Sequence, residues 1–201
     1  MHIKSSHTRT LHHIPFGNAY THVTVEIHCL FCEHCHNTLM QTIPFKADHH
    51  SITRNLEIYI EDLLASGRFT LKTIAELTGV GAHLVKAVDK ARLSRLYVEE
   101  NSKGPSLKKS DTYSRFSAID EFKLQNEHQY ATHIIDLETR HVLWIAKGKK
   151  KQVVYDFIDH VGSEWMSHVK AVACDMNSDF QEAFEERCEN ISIVFDYFNI
   201  V

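Results

Sequence analysis

The chain changes its hydrophobic period several times, and each change marks an element. Residues 20–27, YTHVTVEI, alternate Val23, Val25 and Ile27 with Thr24 and Glu26, the period of two that a half-buried strand requires. Residues 52–65 then place Ile52, Leu56, Ile60, Leu63 and Leu64 on one helical face. The following stretch, FTLKTIAELTGVGAHLVKAVDKARL, predicts two helices around a tight turn. Thr70 is its N-cap, Ile74, Ala75 and Leu77 its inward face, and Gly79 permits the turn. Val80 fills the space between the helices, and Leu84, Val85 and Val88 carry the core into the second one. Gly81 stands where a Ser cap is more usual.

Residues 99–115 are polar, include Gly104 and Pro105, and read as a linker. Beyond them strands and helices alternate. Residues 116–124, 130–136 and 141–146 read as three strands, with the short LETR connection making the last two a hairpin. Residues 152–161 put Val153, Val154, Phe157, Ile158 and Val161 on a helical stripe. A fourth strand, VKAVAC, ends at Asp175, and a helix over 178–188 carries Phe180, Ala183, Phe184 and Arg187 at helical spacing. A fifth run, ISIVFD, ends at Asp196. Three strands, helix, strand, helix, strand is the element order of a ribonuclease H-like core.

Composition narrows the class. With 201 residues, 43% hydrophobic and 24% charged, the chain reads as globular and large enough for one or two domains. No apolar run approaches the roughly 20 residues that cross a bilayer, and no signal-peptide core is present, so a cytoplasmic location and no membrane partner are expected. The net charge of −4 is unevenly spread. Residues 1–118 hold 14 Lys/Arg against 11 Asp/Glu, and residues 119–201 hold 8 against 15, so +3 stands beside −7. That split points to two domains with different tasks: a basic one suited to nucleic acid and an acidic one suited to metal.

Candidate chemistry sits in three places. Cys32 and Cys35 follow the first strand at the spacing of a zinc-ribbon knuckle, where two thiolates occupy two corners of a tetrahedron. Cys29, His34, His36, His49 or His50 would have to complete the Zn²⁺ site; the alternative is a degenerate ribbon with free thiols. The second helix of the helix-turn-helix presents His83, Lys86, Lys90 and Arg92 to a DNA groove or its phosphates. Finally, Asp120 and Asp175 each close a β-branched run, and the expected topology places the first strand beside the fourth. Two carboxylates so placed suit shared divalent ions, and paired ions about 4 Å apart suit phosphoryl transfer. Glu121 alternates to the other side, Asp179 falls in the next helix, and Asp196 is a weaker candidate. The bland alternative is that strand-end aspartates only cap turns.

The strings IDEF, YATHIIDLETRHVLWIAKGK, VACDMNSDFQEAF and NISIVFDYFNIV resemble bacterial insertion-sequence transposases of the ISL-three type, strongly over 116–201 and less specifically through the preceding modules. The resemblance implies a DDE ribonuclease H-like core that cuts and joins DNA with two divalent ions, Mg²⁺ or Mn²⁺, held by Asp120 and Asp175 as the first two catalytic carboxylates. It also implies element terminal inverted repeats as the double-stranded DNA partner, a nucleoid-associated location, and a homo-oligomer among the assemblies to test. The fold class expected is α/β, α+β overall. Its expected parts are a ribbon-like segment (1–50), a helix-turn-helix region (51–98), a linker (99–115) and a partial catalytic core (116–201). Such transposases run to about twice this length, with a catalytic Glu beyond the second Asp, a further cysteine pair upstream, and a His where Asn199 stands. A truncated, catalytically incomplete fragment is therefore expected, with a non-catalytic DNA-binding protein as the alternative and a ligand-sensing regulator as a weaker one.

Overall fold

The computed structural model describes residues 1–102, 104–124, 129–175 and 178–195, which form two compact units, Met1–Glu99 and Glu100–Val201. Asp196 and Asn199 lie outside the described residues.

The first unit opens with a long antiparallel hairpin, β1 (His2–Phe16) and β2 (Ala19–Phe31), extended by the short β3 (Thr38–Met40). The alternation at 20–27 lies within β2 as expected, but β1 has no counterpart in the sequence pattern. Most of β1 is exposed on both faces, so neither face needed an apolar row. Three helices follow: α1 (Arg54–Ala65), α2 (Leu71–Thr78) and α3 (Ala82–Tyr97). Thr53 caps α1 by accepting from Leu56 N–H, and Thr70 caps α2 by accepting from Thr73 N–H. Ile52, Leu56, Ile60, Ile74, Val80, Val85 and Val88 make the core of this unit.

One expected core position is corrected. Leu77 is 45% exposed, while Thr78 is buried and donates its hydroxyl to the Ile74 carbonyl at 2.6 Å. The intrahelical bond satisfies that hydroxyl without water, which lets the smaller polar side chain take the inward position.

Gly79 ends α2 at φ +72°. A Cβ there would stand 2.5 Å from the Tyr20 ring, and the Tyr20 hydroxyl donates to the Glu76 carbonyl at 2.8 Å. The turn between α2 and α3 thus needs glycine twice over, for its backbone and for the space that the hairpin tip occupies. Farther along, His12 N–H donates to Ser51 O at 3.1 Å and His12 O accepts from Thr53 N–H at 2.9 Å. The hairpin and the helices therefore lie in one compact unit, Met1–Glu99.

The expected linker is partly structured: β4 (Val98–Asn101) pairs with β5 (Gly104–Leu107), and Asn101 Nδ2 donates to Ser106 Oγ at 2.8 Å. Polar side chains pairing across a short ribbon leave no hydrophobic signature.

The second unit holds β6 (Phe116–Lys123), β7 (Tyr130–Asp136), β8 (Val142–Lys147), α4 (Lys151–Met166), β9 (Ala171–Cys174), α5 (Ser178–Arg187) and β10 (Ser192–Phe195). The sheet order is β10-β9-β6-β7-β8, with β6–β7 and β7–β8 antiparallel and β6–β9 and β9–β10 parallel. The first strand of the unit is central and the fourth lies beside it, the arrangement expected of a ribonuclease H-like core. Val154, Phe157, Val161 and Trp165 of α4 pack with Phe180, Ala183 and Phe184 of α5 over Ile119, Ile134 and Val172. Arg187, at the end of the expected α5 stripe, is exposed and pairs with Asp159 at 2.6 Å. Among the described residues no helix is long and apolar enough to cross a membrane.

Candidate functional site

Ile119 and Cys174 are partners in the parallel β6–β9 register, and both side chains belong to the core under α4 and α5. Asp120 and Asp175 each lie one residue beyond that pair and are exposed. Adjacent strands run about 4.8 Å apart, so the two aspartates leave the paired register side by side, at the end of β9. Asp120 Oδ1 accepts from the Glu121 backbone N–H at 2.7 Å, which orients the carboxylate. Glu121 alternates away as expected and meets Lys149 Nζ at 3.8 Å.

A third strand-end aspartate shows what a purely structural one looks like. Asp136 at the end of β7 is buried and accepts from Ser114 Oγ at 2.7 Å, Thr139 N–H at 3.0 Å, the Thr139 hydroxyl and Glu138 N–H. Burial pushes its carboxyl up, but those hydrogen bonds outweigh it and hold the group below the usual carboxylate range. Its oxygens are consumed by the turn. The exposed pair Asp120 and Asp175 is differently placed.

His133 was not singled out from the sequence. It is the cross-strand partner of Asp120 on β7, and its Nδ1 is buried with no hydrogen-bond partner among the described residues. The Phe122 ring meets it edge-on, with centroids 5.6 Å apart. The strings THIID and AIDEF do not fix their own register; the structure does, and antiparallel pairing then puts the directly opposed His133 and Asp120 on one face. Two carboxylates offer the hard oxygen donors that Mg²⁺ and Mn²⁺ take, and an orphaned imidazole nitrogen opposite one of them is compatible with a site that binds something more. The residues present fit a divalent ion, which would supply charge neutralisation and an activated oxygen nucleophile there. Among the described residues no group of three or more His, Cys, Asp or Glu side chains is arranged to hold a metal.

Cys32 and Cys35 occupy the tight turn between β2 and β3, where Cys32 N–H donates to Asn37 O at 3.0 Å. The backbone N–H of Cys35, its thiol, and the N–H of His34 all point at Cys32 sulfur and hold that thiol below its ordinary range. This is a knuckle that favours thiolate. However, among the described residues Cys29, His34, His36, His49 and His50 complete no ligand group with the pair. Two thiols supply two corners of a zinc tetrahedron and leave two to be filled.

On α3, His83, Lys86 and Lys90 are exposed along one stripe. Arg92 is not with them and is a correction. Nine residues at 3.6 per turn place it about 180° from His83, on the side of Val85 and Val88. Its side chain is 17% exposed, and both Nε and NH2 donate to Asp89 Oδ1, at 3.1 and 2.9 Å. The intrahelical pair supports the helix and leaves Arg92 no free fork for DNA.

A three-helix module with a capped tight turn, followed by a sheet whose register sets two aspartates on adjacent strands, has the fold class of a helix-turn-helix ahead of a ribonuclease H-like core. Known proteins agree. Residues 41–93 match the helix-turn-helix domain of transposase family ISL3, and residues 118–201 match the transposase domain of the same family. The chain belongs to the ISL3 family of transposases. It is 30% identical over 172 residues to the transposase for insertion sequence element IS1001 of Bordetella parapertussis, covering 86% of this chain and 40% of that one. It is 28% identical over 83 residues to the transposase for IS1557 of Mycobacterium tuberculosis, covering 41% and 19%. The chain therefore spans well under half the length of these relatives. A cryo-electron-microscopy structure of the simian T-cell lymphotropic virus intasome in complex with PP2A regulatory subunit B56 gamma aligns with a TM-score of 0.30 at 12% identity, over 68% of this chain and 51% of that one.

Proposed function

We propose that the chain is the DNA-recognition and metal-binding part of an insertion-sequence transposition reaction. DDE transposases generally use a divalent metal, and in this reading Asp120 and Asp175 hold Mg²⁺ or Mn²⁺ for cleavage and transfer of DNA strands. His83, Lys86 and Lys90 contact the element's terminal inverted repeats. The protein works in the cytoplasm, on the nucleoid, and a homo-oligomer on paired element ends is the natural assembly. The observation that carries this is the shared register of the two aspartates, both one step beyond the Ile119–Cys174 pair.

The test is metal binding. Manganese titration followed by electron paramagnetic resonance should show an ion whose affinity falls at least tenfold in Asp120→Asn and in Asp175→Asn, since each variant removes one carboxylate ligand. An unchanged titration in the double variant would sink the reading. One observation favours a second reading, a DNA-binding protein without chemistry: the described residues complete no metal group of three. Under it, the chain shifts terminal-repeat DNA and never nicks it in Mg²⁺ or Mn²⁺.

A further inference from the structure

Residues 119–201 are acidic, yet their positive charge is not scattered. Five of the eight Lys and Arg residues between positions 119 and 201 are Lys123, Lys147, Lys149, Lys150 and Lys151. The sheet register gathers them. Phe122, Ala131 and Lys147 form one row across β6, β7 and β8, two residues beyond the row of Asp120, His133 and Ile145. Lys123 pairs with Tyr130 in the next row, and Gly148 N–H donates to Tyr130 O at 2.8 Å, bringing the turn at 148–150 to the same rim. At about 3.3 Å per residue and 4.8 Å per strand, Lys123 and Lys147 stand roughly 10–12 Å from Asp120.

Two of the five are already engaged. Lys151 pairs with Glu182 and Glu186 at 2.6 and 2.7 Å. Lys149 reaches Glu121 and lies 4.2 Å from the Tyr130 ring centroid, which fixes the turn. Lys123, Lys147 and Lys150 are exposed, and among the described residues none has an ion-pair partner. Lys147 shares its sheet face with Asp120, because both sit at even steps in one register, whereas Lys123, at an odd step, projects from the other face of the same rim. A solvated rim would not need its cations concentrated at the sheet end that also carries the two aspartates, within a segment (119–201) of net charge −7.

We propose that Lys147 and Lys150 form a second phosphate-binding surface, separate from α3, that holds about two nucleotides of a DNA strand across the sheet end beside Asp120 and Asp175. This rests on the reading of the chain as a DNA-binding transposase segment. The surface positions phosphates; it reads no sequence, since point-charge lysines on a strand end reach backbone and not base edges.

The test uses the full chain, a fluorescein-labelled 30-base-pair duplex and a salt series in EDTA. Lys147→Glu with Lys150→Glu should weaken binding at least tenfold and lower the slope of log affinity against log salt by about 2, one unit for each phosphate no longer neutralised. Lys147→Gln with Lys150→Gln should move both in the same direction by less, with an unchanged melting temperature. Lys86→Ala with Lys90→Ala should leave residual binding that the lysine-rim variant then removes. Asp120→Asn should tighten binding about twofold at low salt, as removal of one charge about 10 Å from a phosphate predicts, and do nothing in the Lys147→Glu, Lys150→Glu background. If the rim variants keep the parent affinity and slope while the α3 variant loses binding, the second surface is refuted and the functional reading stands. If the parent binds no duplex at all, both fall.

Discussion

His12 shows how a single side chain can carry a pH dependence. Its ring sits 4.6 Å from His22 across the hairpin, its Nδ1 is buried without a partner among the described residues, and its backbone is tied to Ser51 and Thr53. Burial first, and the facing His22 second, push its pKa below the ordinary value of 6.5. A depressed histidine is neutral in the folded state, so it is indifferent above pH 6.5 and costs stability as pH falls through that value. Melting curves between pH 7.5 and 5 should show the parent losing more stability than His12→Gln over this window. Parallel curves would mean that the ring charges freely in the folded chain.

Elements decide which of their residues can act together. All four residues proposed on α3 were legible as cations or a titratable ring, but only the helix phase separates Arg92 from His83, Lys86 and Lys90. Arg92→Ala should lower stability by about 0.3–0.5 kcal/mol, the value of a well-formed intrahelical pair, and leave duplex affinity within twofold. Lys86→Ala with Lys90→Ala should do the reverse, with little change in melting and a clear loss in fluorescence-anisotropy binding. A DNA defect in Arg92→Ala as large as that of the lysine pair would overturn the face assignment. The second unit was more legible: every strand and helix expected between 116 and 195 is present, and the main departure is α4, which runs on to Met166. Those elements are amphipathic at a clean period, because each has one face on a single core. β1 was illegible for the opposite reason, being exposed on both faces over most of its length.

At the scale of the whole molecule, the chain has two cores that share no residue, one around Leu56, Ile74 and Val85 and the other around Phe157, Trp165 and Phe184. Calorimetry should therefore resolve two transitions. Leu56→Ala should lower one by about 2–5 kcal/mol and Phe157→Ala the other by about 3–5 kcal/mol, each leaving its companion in place. A single transition that moves with both variants would show the units to be energetically one.

Sequence alone determined the type and order of the elements in the second half, the helix cap at Thr70 and the turn at Gly79, and the two aspartates as the residues to follow. These are local matters of period, capping and strand ends, written in neighbouring positions. Only the tertiary structure decided that Asp120 faces His133, that Asp136 is spent on a turn while Asp120 is not, and that Lys123, Lys147 and Lys150 gather at the same sheet end. It also decided that Arg92 spends its guanidinium on Asp89 and that, among the described residues, the cysteine pair gathers no further ligands. The side of α3 on which Arg92 falls was already implicit in the 3.6-residue period, but the sheet contacts depend on strand register, which brings together residues far apart in the chain and which no local pattern encodes.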